Sequence, residues 1–320
     1  MKKRFGHPWG HEDHRVRDVL KWKLRLGPRE ERGDAPDMPA EWMPWKAAEP
    51  PKSGWRVSWL GHSSFLLEGG GLRILVDPVF ADFCAPFPLP GLKRLVPLPC
   101  GVGDIGPVDA VLLTHSHYDH MDLRALRRLG LDVPLWVPEG DVPLWVPEGH
   151  EAMLRKRGFS QVREIPWFGS DAISQRVRIT ATPAQHFTAR TPWDRNRGHW
   201  CGWRIEGDEV ALWHAGDSGY APVFREIGDK LGPVDFGMIP IGAYAPRWLM
   251  KPMHMTPEEA VAVFHETRCR RAVGMHWGTF RLTDEPMGEP PLRLSRMKVS
   301  GFITGKVGES WEVSPMDPAE

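Results

Sequence analysis

The chain of 320 residues predicts an α/β fold, two β-sheets packed face to face with helices outside, on three observations. Short apolar or alternating runs recur from Trp55 onward. Segments with apolar residues at helical spacing fall between them, and clusters of His and Asp stand where the runs end.

The first 53 residues differ from the rest. They mix prolines and charges with Trp9, Trp22, Trp42 and Trp45, and their only periodic stretch is the basic VLKWKLRLG, room for a turn or two of amphipathic helix. They read as an arm wrapped on the body (1–53), followed by one domain (54–320). Lys and Arg beside Trp and Leu also suit a lipid interface, but the segment is short for an interfacial helix. The body opens on strands WRVSWL, SFLLE and LRILV, with Gly69, Gly70 and Gly71 turning between the last two, and then Asp77 and Pro78.

The buried-strand run VDAVLL leads into THSHYDH, which sets His115, His117, Asp119 and His120 on one tight loop. Nitrogen and oxygen donors at this density exceed what one closed tetrahedral site takes from seven residues, so the simplest reading is two metal ions sharing one loop. The further donors should also sit at strand ends, and three do: His186 after RVRITATPAQ, Asp217 after EVALWHAG and His276 after RRAVGM. DLRALRRLG, behind the loop, has helical spacing and a closing glycine. TPEEAVAVFHETRC starts a helix with Thr256 as N-cap, Pro257 in the first turn and Glu259 three residues on.

Between these helices DVPLWVPEG at 132–140 recurs unchanged at 141–149. One tandem pair is too short for a solenoid, and a single strand slot admits one copy. The other is expected to loop out or extend the sheet edge, leaving the metal site intact.

The donor order His, His, Asp, His, His, Asp, His, with HSHYDH and the later AGD, resembles the metallo-β-lactamase fold superfamily, which implies a four-layer αβ/βα sandwich with ligands at one edge. Longer stretches narrow the resemblance. WLGHSSFLLEGGGLRILVDPVF, PAQHFTART, AGDSGY, IPIGAYAPRWLMKPMHMTPEEAV and MHWGTFRLTDEPMGEPPLRL are similar to the N-acylphosphatidylethanolamine-hydrolysing phospholipase D family, from about Trp55 to about Gly308. The resemblance implies a first zinc on His115, His117 and His186, a second on Asp119, His120 and His276, and Asp217 bridging both. It implies a phosphodiesterase of phospholipase D type, hydrolysing an N-acylphosphatidylethanolamine-like phospholipid with a water or hydroxide shared by the two ions. Asp119, Asp217 and His254 are the catalytic candidates; His254 matches a family histidine near the phosphate or leaving group, while from the residues alone it is a loop histidine before a helix. Tyr244, Arg247 and Trp248 are the candidate substrate contacts, Arg247 equally readable as a surface ion pair.

Three positions depart from the pattern: Ala245 stands where an acid is expected, Phe187 where tryptophan is, and Met253 where glutamine is. They leave the hydrolase reading intact and the lipid open. A sugar-phosphate lactonase or related ester hydrolase is the alternative, since WLGHSSF also resembles those enzymes. A catalytically silent binding module is a third reading, opposed by the complete donor set. Iron or manganese would suit the same ligands as zinc.

Composition sets the remaining bounds. With 41 basic and 41 acidic residues the net charge is zero, against a nucleic-acid binder. No h-region opens the chain and no apolar stretch approaches a membrane span, so the expected location is cytoplasmic, at most peripheral at the inner membrane surface. Cys84, Cys100, Cys201 and Cys269 form no paired motif and read as buried thiols. The 16 tryptophans include Trp193, Trp200, Trp203, Trp213, Trp248 and Trp277 beside the ligand motifs, core filling for most. The family resemblance suggests a homodimer.

Overall fold

The computed structural model describes residues 4–9, 14, 16–28, 33–131 and 142–315. In chain order α1 (Val16–Lys23) precedes the meander β1 (Trp55–Gly61), β2 (Ser64–Gly69) and β3 (Leu72–Val76). Then come β4 (Ala110–Leu112), α2 (Leu123–Leu131), β5 (Leu144–Pro147), α3 (Glu151–Arg155), β6 (Val162–Ile165), β7 (Ser170–Ala172) and β8 (Arg178–Thr182). The second half runs β9 (Gly202–Gly207), β10 (Val210–His214), α4 (Val223–Leu231), β11 (Val234–Pro240), α5 (Arg247–Met250), α6 (Pro257–Glu266) and β12 (Cys269–Met275). It closes with α7 (Glu289–Met297), β13 (Phe302–Ile303) and β14 (Ser310–Val313).

These strands form two seven-stranded sheets, ordered β14-β1-β2-β3-β4-β5-β6 and β13-β12-β11-β10-β9-β8-β7. Both are mixed. β3 to β6 run parallel in the first and β10 to β13 in the second, with antiparallel pairs making up the rest.

Strand alternation explains the layers. Side chains two apart share a face, so Phe65, Leu67, Ile74, Val76, Ala110 and Leu112 meet Ile179, Trp203, Ile205 and Trp213 of the other sheet. The intervening Leu66, Leu75 and Val111 turn outward onto Leu126 and Leu129 of α2 and Leu154 of α3. On the far side α6 packs on β11 and β12, flanked by α4 and α7. The helix starts as its sequence requires: Glu259 N–H donates to Thr256 Oγ1 at 3.3 Å, and Glu259 Oε2 accepts from Thr256 N at 2.8 Å. The expected four-layer sandwich is the observed one.

The second DVPLWVPEG copy supplies β5, between β4 and β6. The first copy, expected to loop out or extend an edge, lies outside the described residues. Residues of the arm sit on the body. Trp22 donates to Asp284 Oδ2 at 2.6 Å, Ala40 N–H to the carbonyl of Gly278, and Trp45 N–H to that of Pro99. All four cysteines are buried and free. No helix among the described residues is long and apolar enough to cross a membrane.

Candidate metal centre

Every donor singled out in the sequence emerges from a strand end on one edge of the sandwich. The loop after β4 carries His115, His117, Asp119 and His120, and turns because His120 and Met121 N–H both donate to the carbonyl of His117. It is anchored behind by Asp122, whose Oδ1 accepts from Arg124 and Ala125 N–H at the start of α2. His186 follows β8, Asp217 follows β10, and His276 follows β12 with a left-handed backbone, φ 64°.

Two groups of ligand atoms result. In the first, His115 Nε2 and His117 Nδ1 lie 2.8 Å apart, and His186 Nε2 is 3.2 Å from His117 Nδ1. In the second, His276 Nε2 and His120 Nε2 lie 3.6 and 3.7 Å from Asp119 Oδ2. Asp217 Oδ2 stands between the groups, 3.1 Å from His120, 2.9 Å from His276, 3.7 Å from His186 and 4.0 Å from His115. Ligands about 2.0–2.1 Å from one tetrahedral ion would be separated by about 3.3 Å, a value inside the 2.8–4.0 Å range of these separations.

A metal also answers the electrostatics. Burial, with the neighbouring imidazoles, holds His115 and His186 well below the usual histidine range and brings His117 down to about 4, so these three are neutral bases with lone pairs to give. Burial opposes charge on His120 and His276 too. The carboxylate of Asp217, then those around it, outweigh burial and raise His120 well above its ordinary value and His276 to about 9. Asp119 and Asp217 are held well below the carboxylate range by these imidazoles despite burial. His120 Nε2, His276 Nε2 and Asp217 Oδ1 are buried without a hydrogen-bond partner. Such groups cost about 1–3 kcal/mol each when unsatisfied, and divalent cations would satisfy them together.

The ligands are aimed from behind. His120 Nδ1–H donates to Asp77 Oδ2 at 2.6 Å, and His186 Nδ1–H to the carbonyl of Met253 at 3.0 Å. Thr114 Oγ1 accepts from His115 Nδ1–H at 2.9 Å while donating to Asp77 Oδ2 at 2.5 Å. These bonds set the tautomers that leave the inward nitrogens free to coordinate. His62, following the irregular end of β1, lies with Nε2 2.9 Å from Asp119 Oδ2. Neither Asp77 nor His62 was singled out from the sequence. The signal was available, since each follows a strand as the ligands do, but Asp77 reads locally as a turn residue before Pro78 and His62 as a loop residue after Gly61.

His254 lies at the same centre, its ring 5.1 Å from those of His186 and His276. Beside it is an apolar cluster of Leu249, Met250 and Met253 with Trp22, Phe187 and Trp248, and the Phe187 ring is 4.5 Å from His117. Two positions that depart from the family pattern, Phe187 and Met253, are therefore on this wall. The other candidate contacts are held by protein partners. Tyr244 is 2% exposed and donates to Glu289 Oε1 at 2.7 Å; Arg247 makes a two-pronged pair with Glu259 at 2.9 Å and donates to the carbonyl of His254 at 2.8 Å. Trp200, Trp203, Trp213 and Trp277 are core residues, whereas Trp193 is 73% exposed. Phe80, Phe83, Phe87, Tyr118, Arg124 and Arg190 line a groove beside the metal loop, in which the Arg190 guanidinium lies over the Tyr118 ring at 3.9 Å.

The chain is similar to known proteins. Residues 72–277 match the family described as the beta-lactamase superfamily domain. The chain is 35% identical over 278 residues to N-acyl-phosphatidylethanolamine-hydrolyzing phospholipase D 1 of Caenorhabditis elegans, covering 82% of this chain and 77% of that protein. It is 34% identical over 249 residues to the mitochondrial N-acyl-phosphatidylethanolamine-hydrolyzing phospholipase D of Saccharomyces cerevisiae, spanning 75% of this chain and 51% of the yeast protein. Among solved structures, isothiocyanate hydrolase from Delia radicum gut bacteria has a TM-score of 0.65 over 82% of this chain and 100% of that one; at 21% identity the likeness is one of fold.

Proposed function

Because the chain belongs to the metallo-β-lactamase superfamily and, within it, to the N-acylphosphatidylethanolamine-hydrolysing phospholipase D family, we propose that this metal-dependent hydrolase is a phospholipase D type phosphodiesterase. Its substrate in this reading is an N-acylphosphatidylethanolamine-like phospholipid, cleaved to phosphatidic acid and the head-group alcohol.

The observation that carries the proposal is the position of Asp217 Oδ2, within 4.0 Å of His115, His120, His186 and His276 at once. A carboxylate so placed would join two cations. His115, His117 and His186 would hold one, Asp119, His120 and His276 the other, with zinc the expected metal and iron or manganese compatible with the same donors. When bound, the pair would lower the pKa of water between them and steady negative charge on a phosphoryl oxygen.

The rest falls to the chain. Asp119 and Asp217 fix the acceptor side of the site, and His254 stands where a phosphate oxygen or the departing alkoxide would be met. The cluster of Trp22, Phe187, Trp248 and Met253 offers an apolar wall to an acyl chain and keeps bulk water from the ligands. Exposed Leu20, Leu24 and Leu26 beside Lys21, Lys23 and Arg25 support transient contact with a membrane surface from a cytoplasmic position; a homodimer is part of the same reading.

The test is hydrolysis by the zinc-loaded protein of N-acylphosphatidylethanolamine, phosphatidylethanolamine and a sugar-phosphate lactone in parallel, with Asp217→Asn as the blank. Phosphatidic acid from either lipid, absent with the variant, is the expected result. Lactone opening without lipid cleavage overturns it in favour of the lactonase reading, for which the substituted wall positions Phe187 and Met253 would then account.

A further inference from the structure

His62 follows the register shift at Trp59/Gly61 that ends β1, and it adopts a left-handed backbone, φ 54°. A residue with a Cβ pays for that conformation, about 1–2 kcal/mol, so it persists only where its surroundings hold it. Three bonds do so here. His62 N–H donates to Thr279 Oγ1 at 2.9 Å, and its carbonyl accepts from Trp59 Nε1 at 2.9 Å and from His276 N–H at 3.1 Å. Two of the three partners lie on the loop that carries His276.

The side chain points the same way. The ring is 1% exposed, packs 4.1 Å from the His276 ring and edge-on to Phe280 at 5.3 Å, and places Nε2 2.9 Å from Asp119 Oδ2. Its Nδ1 is buried without a partner. An apolar side chain would fill this space without that cost, so packing does not explain an imidazole here. Its hydrogen bond to Asp119 does. A carboxylate anchored at one end by a chain turn rotates unless something holds it. Oδ2 keeps its place 3.6 Å from His276 Nε2 and 3.7 Å from His120 Nε2 while His62 donates to it.

We propose that His62 is the positioning residue of the second metal group: Nε2–H holds the Asp119 carboxylate where it joins His120 and His276 around one cation, and the His62 backbone steadies the strand end bearing His276. The assignment rests on the two-cation reading above.

The test compares wild type, His62→Gly and His62→Gln by metal analysis and by competition of each zinc ion against a chromophoric chelator. Glycine accepts the left-handed backbone and removes only the ring; glutamine returns an N–H at similar reach. Loss of a hydrogen-bond partner behind a ligand typically weakens a metal 10–100-fold. The expected result is that fold loss for the second cation alone in His62→Gly, with recovery in His62→Gln. Two cations in wild type with an unchanged second affinity in His62→Gly overturn the assignment alone, as does an equal loss at both sites or a failure of glutamine to restore binding. A wild-type chain that takes a single cation overturns the two-cation reading and the assignment with it.

Discussion

Asp77→Asn changes one atom behind the metal centre, and its consequences follow from three distances. Oδ1 of the buried Asp77 accepts Thr114 N–H at 2.7 Å; Oδ2 accepts Thr114 Oγ1–H at 2.5 Å and His120 Nδ1–H at 2.6 Å. Asparagine keeps the shape and tolerates the left-handed backbone at this position, φ 43°. Its amide oxygen must stay with the Thr114 N–H, because two donors would otherwise face each other. The amide NH2 then meets His120 Nδ1 and the Thr114 hydroxyl, so His120 has to accept there and carry its proton on Nε2, the nitrogen 3.1 Å from Asp217 Oδ2. That proton occupies the coordinating lone pair. The loss expected at the second cation is 10–100-fold, about 1.4–2.7 kcal/mol. The metal-free fold should lose about 1–3 kcal/mol with the charge-assisted bonds. Chelator competition measures the first quantity and urea unfolding of the chelated protein the second. A variant that binds its second cation with wild-type affinity would refute the argument that Asp77 sets the His120 tautomer.

Four further outcomes are expected. His120 and His276 are held protonated without metal, the latter up to about pH 9, so cation uptake at neutral pH should expel protons and its affinity should rise with pH; calorimetry in buffers of differing ionisation heat reads this, and a buffer-independent heat contradicts it. The same raised values stabilise the chelated protein fully below about pH 6.5, a contribution lost as pH climbs through about 9, so its urea midpoint should fall over that interval. Arg247→Ala breaks the paired bonds to Glu259 and the bond to the His254 carbonyl, and should cost about 1–2 kcal/mol after allowance for partial exposure; a raised KM with unchanged stability would instead assign Arg247 to the phosphate. Deleting one nine-residue DVPLWVPEG copy leaves the other to form β5, so metal content and activity should be retained; loss of metal would show that both copies support the site.

Much of the candidate site was legible because residues able to hold a metal declare themselves locally. His115, His117, Asp119 and His120 share one loop, and His186, Asp217 and His276 each close a run with strand periodicity. The start of α6 was equally plain, since Thr256 and Glu259 satisfy one another across a single turn. Other positions carried no local mark. Tyr244 looked like a cleft residue, yet Glu289, 45 residues away, takes its hydroxyl. Trp22 in the arm finds Asp284 across 262 residues.

The sequence by itself determined the two sheets with helices outside and the strand ends that carry the candidate donors, because periodicity and donor chemistry act between near neighbours in the chain. Tertiary structure alone decided that Asp77 and His62 stand behind the two donor groups, and that the arm's Trp22 joins the wall beside Phe187. Those relations depend on two sheets closing on one another at about 10 Å. That closure places side chains from remote segments within hydrogen-bond reach, where burial turns an ordinary turn aspartate or loop histidine into part of the metal centre.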